Sequence, residues 1–337
     1  MHATRYIHYI YIIGIAFLLQ GCRRESHPST PDAEPYAISM SPSAVTRALI
    51  DNVADLRKSG FVVYGYKEDK NDYRQQVFAG QQVTHTDAKG WGYSPTRYWD
   101  RVTDYAFAAY APIELPSSMS VANSTAANQN QILTVTLPQW QKLDGSETDL
   151  IVATSKGAAT SYLNNGGVVD MAFNHVYAQL TVVVLRNAFL VKEYRLKTLA
   201  YKDMPANVQT TYTIDYTAGI SEMNTQMLGA DESVFMRPAD AGLGDLIEST
   251  ATDATRFSYL VVPSTNAQPN GFRITLDYTI GGAPFSAEVN SGLTELKAGN
   301  SYVLRLNFDN GADIIPSVMI EEWDDENIDE DDEMHNW

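Results

Sequence analysis

Few side chains in this sequence have the types and spacing that catalysis or metal binding requires. The chain of 337 residues has six histidines and one cysteine. Outside the terminal segments only His85 and His175 remain, and neither has a second ligand at metal-binding spacing. We therefore predict no metal site, no cofactor and no catalytic residue. His175, in the run MAFNHVYAQL, is expected to be a core or strand-end histidine satisfied by backbone groups.

Carboxylates are the remaining candidates for chemistry. Aspartate and glutamate number 41 against 24 lysines and arginines, so the formal net charge is −17. Two carboxylates flanking a cleft could form a glycosidase pair, and composition alone leaves that alternative open. The sequence has no G-x-S-x-G motif and no P-loop. It also has no basic patch that would release counterions from phosphates, which argues against a nucleic-acid partner. An enzyme is therefore the least favoured of the functions considered.

The N-terminus has the pattern of an export signal. Residues 6–19 form a nearly unbroken apolar run that is too short to span a membrane comfortably. We interpret residues 1–21 as a signal peptide. The run ends in Leu19-Gln20-Gly21-Cys22, which resembles a bacterial lipobox. We therefore predict that Cys22 carries acyl chains such as palmitate, which bind a membrane with about 0.8 kcal/mol per buried methylene. Residues 22–35 are expected to be a disordered spacer.

An aromatic cluster occupies residues 90–112, GWGYSPTRYWDRVTDYAFAAYAP. It could be a sugar-stacking platform, an adhesive patch or the core of a β-sandwich. Tyr105 and Phe107 alternate with alanines, so small and large side chains alternate on both faces of a strand. This pattern favours a strand packed from two sides, and we predict that the cluster is sandwich core.

Short alternating runs recur along the rest of the chain, separated by turn signals such as Asp144-Gly145 and Asn310-Gly311. Many short strands of this kind are typical of β-sandwiches. Residues 56–60 are expected to form a turn or short helix. Residues 221–228 and 239–247 are the best helix candidates in the second half of the chain.

Five segments together resemble the fimbrillin superfamily of Bacteroidales, the subunits of type V pili. They occur in the order expected for that family, and they are GWGYSPTRYWDRVTDYAFAAYAP, DLIVATS at 149–155, VVDMAFNHVYAQLTVVV at 168–184, LKAGNSYVLRLNF at 296–308 and VMIEEW at 318–323. The lipobox belongs to the same pattern. The resemblance implies an all-β fold of two tandem transthyretin-like β-sandwich domains with few short helices.

The resemblance also implies a division of the mature chain into four parts. These are a removable N-terminal strand at 36–47, an N-terminal sandwich at 48–188, a C-terminal sandwich at 189–323 and an acidic tail at 324–337. The alternation in YAISMSPSAV suits a strand, and Pro42 places that strand at a sheet edge.

Maturation in such a family proceeds by proteolysis and strand exchange. The resemblance implies that an arginine-specific protease cuts between Arg47 and Ala48, with Arg57 and the pair Arg23-Arg24 as competing sites. A strand from another fimbrillin subunit then fills the opened groove. The expected course is from an outer-membrane lipoprotein precursor, held through Cys22, to an extracellular fimbrium that supports adhesion to a host or bacterial receptor.

Two alternatives stay open from the residues alone. The chain could be a surface lipoprotein that binds glycans through exposed aromatics.

The C-terminus is also unusual for a strand donor, because ten of the thirteen residues at 321–333 are acidic. That composition favours a tip or accessory subunit, which accepts a strand but need not donate one. The tail lacks the spacing of a calcium loop.

Overall fold

The fold is all-β, as the sequence predicts. A computed structural model describes residues 36–45, 53–71, 74–125, 131–138, 140–205, 208–215, 219–227, 231–237, 242–250, 252–265 and 271–322. The range from Tyr36 to Trp337 forms one compact unit. In the described part of the chain the two helices are α1, Val53–Ser59, and α2, Ala159–Asn164. Neither of these two is long or apolar enough to cross a membrane.

The strands of the first half are short, as turn-punctuated alternation predicts. They are β1 Ser39–Val45, β2 Phe61–Glu68, β3 Arg74–Thr86, β4 Gly90–Gly92, β5 Asp104–Ala111, β6 Ser120–Thr125, β7 Gln131–Thr136, β8 Trp140–Lys142, β9 Ile151–Ala158, β10 Val168–His175 and β11 Ala178–Arg186.

The second half continues in the same way. Its strands are β12 Tyr194–Pro205, β13 Val208–Asp215, β14 Gly219–Met227, β15 Asp231–Arg237, β16 Asp245–Leu246, β17 Thr255–Val261, β18 Ser264–Thr265, β19 Arg273–Ile280, β20 Ala283–Asn290, β21 Glu295–Leu296, β22 Asn300–Phe308 and β23 Ile314–Glu322.

A seven-stranded sheet, here called the N-terminal sheet, has the order β1-β10-β9-β5-β2-β3-β4. Its central strands are buried on both faces, whereas β10 and β3 have exposed residues at alternate positions. One face packs under α1, α2 and the aromatics of residues 91–99. The other packs against Leu133 and Val135 of β7, which belongs to a four-stranded sheet of order β14-β13-β7-β6. Strand β5 lies in the middle of the N-terminal sheet, and its residues 105–109 are all buried. The two-sided packing predicted for this strand is confirmed.

The remaining two large sheets form a second sandwich around the largest apolar core. One has the order β23-β22-β11-β17-β8, and the other has the order β15-β12-β19-β20 with β16 beside β12. Side chains from both sheets meet between them, including Leu180, Leu199, Leu276 and Leu304. The predicted domain boundary between residues 188 and 189 stays a prediction. Among the described residues, four strand pairings cross that position: β11 pairs with β17 and with β22, β13 pairs with β7, and β17 pairs with β8.

Helix predictions from the sequence are partly right. Residues 56–60 fall at the end of α1, where Gly60 has a φ of +63° and its N–H donates to the carbonyl of Leu56 at 2.8 Å. Glycine ends many helices in this way because it adopts positive φ without a steric penalty. The helix predicted at 221–228 is wrong, because Gly219–Met227 is a strand paired with β13. The helix predicted at 239–247 is wrong where it is described, because Asp245–Leu246 is a short strand.

A buried polar pair joins two of the family-like segments. His175 ends β10, and its Nδ1 lies 2.7 Å from Oδ2 of Asp149, just before β9. Both side chains are almost fully buried, with exposed fractions of 0% and 1%. The predicted burial of His175 is confirmed. The hydrogen-bond partner of His175 is the carboxylate of Asp149, whereas the sequence predicts backbone partners.

Candidate functional site

Strand β1 lies at the edge of the N-terminal sheet. It pairs in parallel with β10, from Ser39 opposite Val168 to Val45 opposite Phe173. The register shifts between Pro42 and Ala44, where β1 carries a bulge. The order of the sheet places no further strand beyond β1 among the described residues. An edge strand tolerates a proline because one row of its backbone groups has no ladder partner.

The alternation seen in the sequence of β1 directs its apolar side chains inward. Ile38 is 2% exposed and Met40 is 4% exposed, and both belong to the core that also contains Phe173 of β10. Pro42 is buried as well, while Ser39 is exposed. Full burial of side chains of this size contributes about 1.5–3 kcal/mol each. Strand β1 is therefore an integral part of the core in the uncleaved chain.

The start of β1 is hydrogen-bonded on both sides. On one side the N–H of Ser39 donates to the carbonyl of Gly167 at 3.0 Å. On the other side residues 97–99, here called the clamp segment, run along it. The N–H of Ile38 donates to the carbonyl of Arg97, and the N–H of Trp99 donates to the carbonyl of Tyr36, both at 2.8 Å. The backbone at 36–39 is thus held between the clamp segment and Gly167.

Tyr93 ties the clamp segment to β1 through its hydroxyl. This hydroxyl donates to the carbonyl of Ile38 at 2.7 Å and accepts from the N–H of Arg97 at 3.3 Å. The ring packs edge-on against Phe78. Burial raises the pKa of Tyr93 to about 12, because the phenolate would be poorly solvated there. The neutral, donating form therefore persists at ordinary pH.

Trp99 closes the site from the other direction. Its indole Nε1 donates to the carbonyl of Gly167 at 3.2 Å, and its ring stacks on Tyr162 of α2 with centroids 4.8 Å apart. Next to it, the guanidinium of Arg101 lies 4.4 Å from the ring centre of Tyr36. Such cation–π contacts contribute about 0.5–1 kcal/mol when exposed.

The predicted modification and cleavage residues lie outside the described residues. These are Cys22 and the pair Arg47 and Ala48. Strand β1 ends at Val45, so Arg47 is the second residue after the strand in sequence. The competing site Arg57 lies on α1 and is exposed, while Arg23 and Arg24 again fall outside the described residues.

The residues that hold β1 were not identified from the sequence as part of a site. The sequence predicts Tyr93 and the clamp segment only as part of the aromatic core, and it gives no sign of a role for Gly167. These residues lie about 50 to 130 positions from β1 along the chain.

The aromatic cluster does not form a sugar platform of several rings. Trp99, Tyr105 and Phe107 are buried, and Trp91 and Tyr93 pack against the same core. Tyr98 is the cluster's exposed ring, with 50% of its surface accessible. The interpretation of the cluster as sandwich core is confirmed.

Comparison with solved structures returns cell-surface proteins at low similarity. A candidate cell adhesion protein from Bacteroides uniformis is 14% identical, with 86% of this chain and 98% of that chain covered and a TM-score of 0.45. The fimbrial anchor protein Mfa2 from Porphyromonas gingivalis is 13% identical, with coverages of 85% and 97% and a TM-score of 0.36. These values are too low to support an assignment of function.

The family model is decisive. Comparison with curated proteins gives no match. The model for fimbrillin-like proteins matches residues 46–323, which is well over half of the chain. The chain therefore belongs to the fimbrillin-like family, and this membership supports a structural role as a fimbrial adhesion subunit.

Proposed function

We propose that this protein is a fimbrial subunit that is assembled by exchange of its N-terminal strand. Cleavage after Arg47 frees β1, and a strand of another subunit takes its place beside β10. The observation that carries this proposal is the position of β1, an edge strand with a buried apolar face that precedes the cleavage site. The family match also begins at residue 46, directly after β1.

Loss of β1 would leave an unpaired strand edge and an exposed apolar surface, and both favour the binding of another strand. The edge of β10 would expose unpaired N–H and C=O groups, and burial of such groups without partners costs free energy. Removal of Ile38 and Met40 would also expose the side chains of Val169, Met171 and Phe173. These three are fully buried in the uncleaved chain. A donated strand with apolar residues at alternate positions would repair both defects at once.

The hydrogen bonding of β1 suggests where exchange begins. Its N-terminal end is held on two sides, by the clamp segment and Gly167. From Met40 to Val45, in the described residues, it is paired with β10 alone. The cut after Arg47 would create a free end on this weaker part. Exchange would therefore start at Val45 and proceed toward the clamp segment.

Lipidation at Cys22 would couple release from the membrane to opening of the groove beside β10. Residues 22–47 include both the anchor and β1, so one cut after Arg47 separates the body of the protein from its lipid and opens the groove. The precursor would be held at the outer membrane until the protease acts. The highly acidic tail at 324–337 suits a subunit that accepts a strand without donating one, such as a tip or accessory subunit.

Limited digestion of the purified chain tests this proposal. An arginine-specific protease should yield a body that begins at Ala48, identified by intact mass. Arg47→Gln should block that product, whereas Arg57→Gln, a matched change at an exposed arginine of α1, should leave it unchanged. The cleaved body should then form concentration-dependent complexes with other fimbrillin subunits. A body that stays monomeric with every subunit tested would overturn strand exchange.

A further inference from the structure

A small cavity opens beside the clamp segment on the N-terminal sandwich. Its volume is about 200 Å³, and it is lined by Lys67 of β2, residues 75–77 of β3, Arg97, Tyr98 and Tyr105. Sites for drug-sized ligands have volumes of about 300–1,000 Å³. This cavity is therefore of a size suited to one sugar unit.

A β-bulge in β3 builds one wall of the cavity. Tyr66 pairs with Gln76 and Gly65 pairs with Phe78, so Val77 is an extra residue in β3. Bulges of this kind redirect side chains and occur often beside functional sites. The bulge lies at Val77, next to Gln75 and Gln76, and both glutamines, each with a side-chain amide, are among the lining residues. Each amide can both donate to and accept from a sugar hydroxyl.

Two lining groups have hydrogen-bond donors to spare. Lys67 Nζ donates to Oδ2 of Asp100 at 2.9 Å, which uses one of its three donors. The hydroxyl of Tyr105 accepts from the N–H of Asp100 at 2.8 Å, which leaves its own proton available. Tyr105 is a lining residue that is only 1% exposed, so packing holds its ring in place beside the cavity.

Arg97 gives the cavity its charge. The lining contains Lys67 and Arg97 and no carboxylate, on a chain whose net charge is −17. Among the ion pairs of the described residues, Lys67 is matched by Asp100, and Arg97 has no carboxylate partner. A guanidinium binds a carboxylate through two parallel hydrogen bonds. The half-exposed ring of Tyr98 adjoins this charge and offers an apolar face for stacking.

We propose that this cavity binds the carboxylate-bearing sugar unit of an anionic glycan, a uronic or sialic acid. Arg97 and Lys67 pair with the carboxylate, the amides of Gln75 and Gln76 bind hydroxyls, and the sugar ring packs on Tyr98. This site is present on the uncleaved chain, so it can be tested without cleavage or strand exchange. It requires one exposed ring and a charge, in contrast to a platform of several aromatics.

Titration of the full-length uncleaved chain with free sugars tests the site. The probes are glucuronic acid and N-acetylneuraminic acid, with galactose as the neutral sugar and acetate as the simple anion. Saturation-transfer NMR should show at least one acidic sugar binding with a Kd on the order of 1 mM, as expected for a small ligand. Galactose and acetate should bind at least tenfold more weakly. The two acidic probes distinguish a uronic from a sialic acid specificity.

Variants then assign the binding to the cavity. Arg97→Ala should weaken binding of the acidic sugar at least tenfold, and Tyr98→Ala should weaken it severalfold. Arg57→Ala, at an exposed arginine that is not among the lining residues, should leave it unchanged. The carbonyl of Arg97 still accepts from Ile38 in Arg97→Ala, so folding is expected to persist and is checked by thermal unfolding. Arg97→Lys keeps the charge but loses the paired hydrogen bonds, so its binding should be intermediate.

Several results would overturn the proposal. One is equal binding of galactose and glucuronic acid, which would remove the role of the carboxylate. Another is equal binding of acetate, which would indicate a general anion contact only. Undiminished binding by a folded Arg97→Ala protein, or no binding of either acidic sugar, would also refute it.

Discussion

At the scale of single residues, Gly167 connects β1 to the clamp segment. Its carbonyl accepts from both the N–H of Ser39 and the indole of Trp99. A carbonyl oxygen has two lone pairs, so one peptide unit can satisfy both donors. The φ of Gly167 is +74°, and an added Cβ would lie 3.3 Å from both the Ala37 carbonyl oxygen and Trp99 Nε1. The residue therefore needs both positive φ and minimal size.

Replacement of Gly167 should loosen β1 selectively. Gly167→Ala is expected to lower the free energy of unfolding by about 1–2 kcal/mol through backbone strain, and also to push on Ala37. Gly166→Ala is the matched control, because Gly166 has a φ of +76° and no atom near the added Cβ. Hydrogen exchange at β1 should accelerate in Gly167→Ala and stay close to wild type in Gly166→Ala. Equal exchange in the two variants would contradict the proposed role of Gly167.

Tyr93 should make the stability of the protein depend on alkaline pH. Its pKa is raised to about 12 from an ordinary value of 10.0. A raised folded pKa gives stability that is complete below pH 10 and is lost as the pH rises toward 12, because only the unfolded chain releases the proton in that range.

Tyr93→Phe isolates this contribution from those of other buried tyrosines. The variant should be less stable than wild type at pH 8 by about 1 kcal/mol, since a hydrogen bond to Ile38 is lost. Its stability should then decline less steeply between pH 10 and 12. Urea unfolding at a series of pH values measures both effects, and parallel pH curves for the two proteins would refute the assignment.

At the scale of elements, the alternation of side chains along a segment predicts a strand correctly where that alternation matches the burial of the strand in the folded sheet. The alternation of Tyr105, Phe107 and the intervening alanines predicted a strand buried on both faces, and β5 has that environment. The helix predicted at 221–228 is wrong. Met223 and Met227 are four residues apart, and this spacing is compatible with both a helix face and a strand face. Pairing with β13, which a local pattern does not contain, makes it a strand.

The candidate site could be predicted only in part. The alternation of Ile38, Met40 and Pro42 with serines indicated an edge strand. Its partners could not be foreseen, because Gly167 and Arg97 reach it through backbone hydrogen bonds. Such bonds depend on how the sheet is assembled and not on side-chain type, so sequence carries little trace of them.

The buried pair of Asp149 and His175 links neighbouring elements, since His175 lies opposite Ile151 in the pairing of β9 with β10. Asp149→Ala should destabilise the fold by about 1–3 kcal/mol, because it leaves the buried Nδ1 of His175 without this hydrogen-bond partner. Asp55→Ala, at the exposed pair of Asp55 with Lys58 in α1, should cost less than about 1 kcal/mol. Chemical denaturation compares the two, and similar small losses would show that the buried pair contributes little.

At the scale of the whole molecule, the strand that fills the edge of the first sandwich comes from the segment that also carries the predicted anchor. Strand β1 occupies 39–45, before the predicted cut at Arg47, and the family match starts at residue 46. A sandwich completed by a removable piece is stable as a precursor and incomplete after processing. The second sandwich has its own large core, so processing at the N-terminus should leave it folded.

The most direct measurement adds a fluorescent peptide of residues 36–46, YAISMSPSAVT, to the protease-treated protein. The peptide should be incorporated, seen as a rise in fluorescence anisotropy and as comigration with the body in size exclusion. The same peptide with Ile38→Asp and Met40→Asp should not be incorporated, since charged side chains cannot be buried at those positions. If cleaved protein retains its own residues 36–47 and takes up neither peptide, the strand is not exchangeable and the account of assembly is wrong.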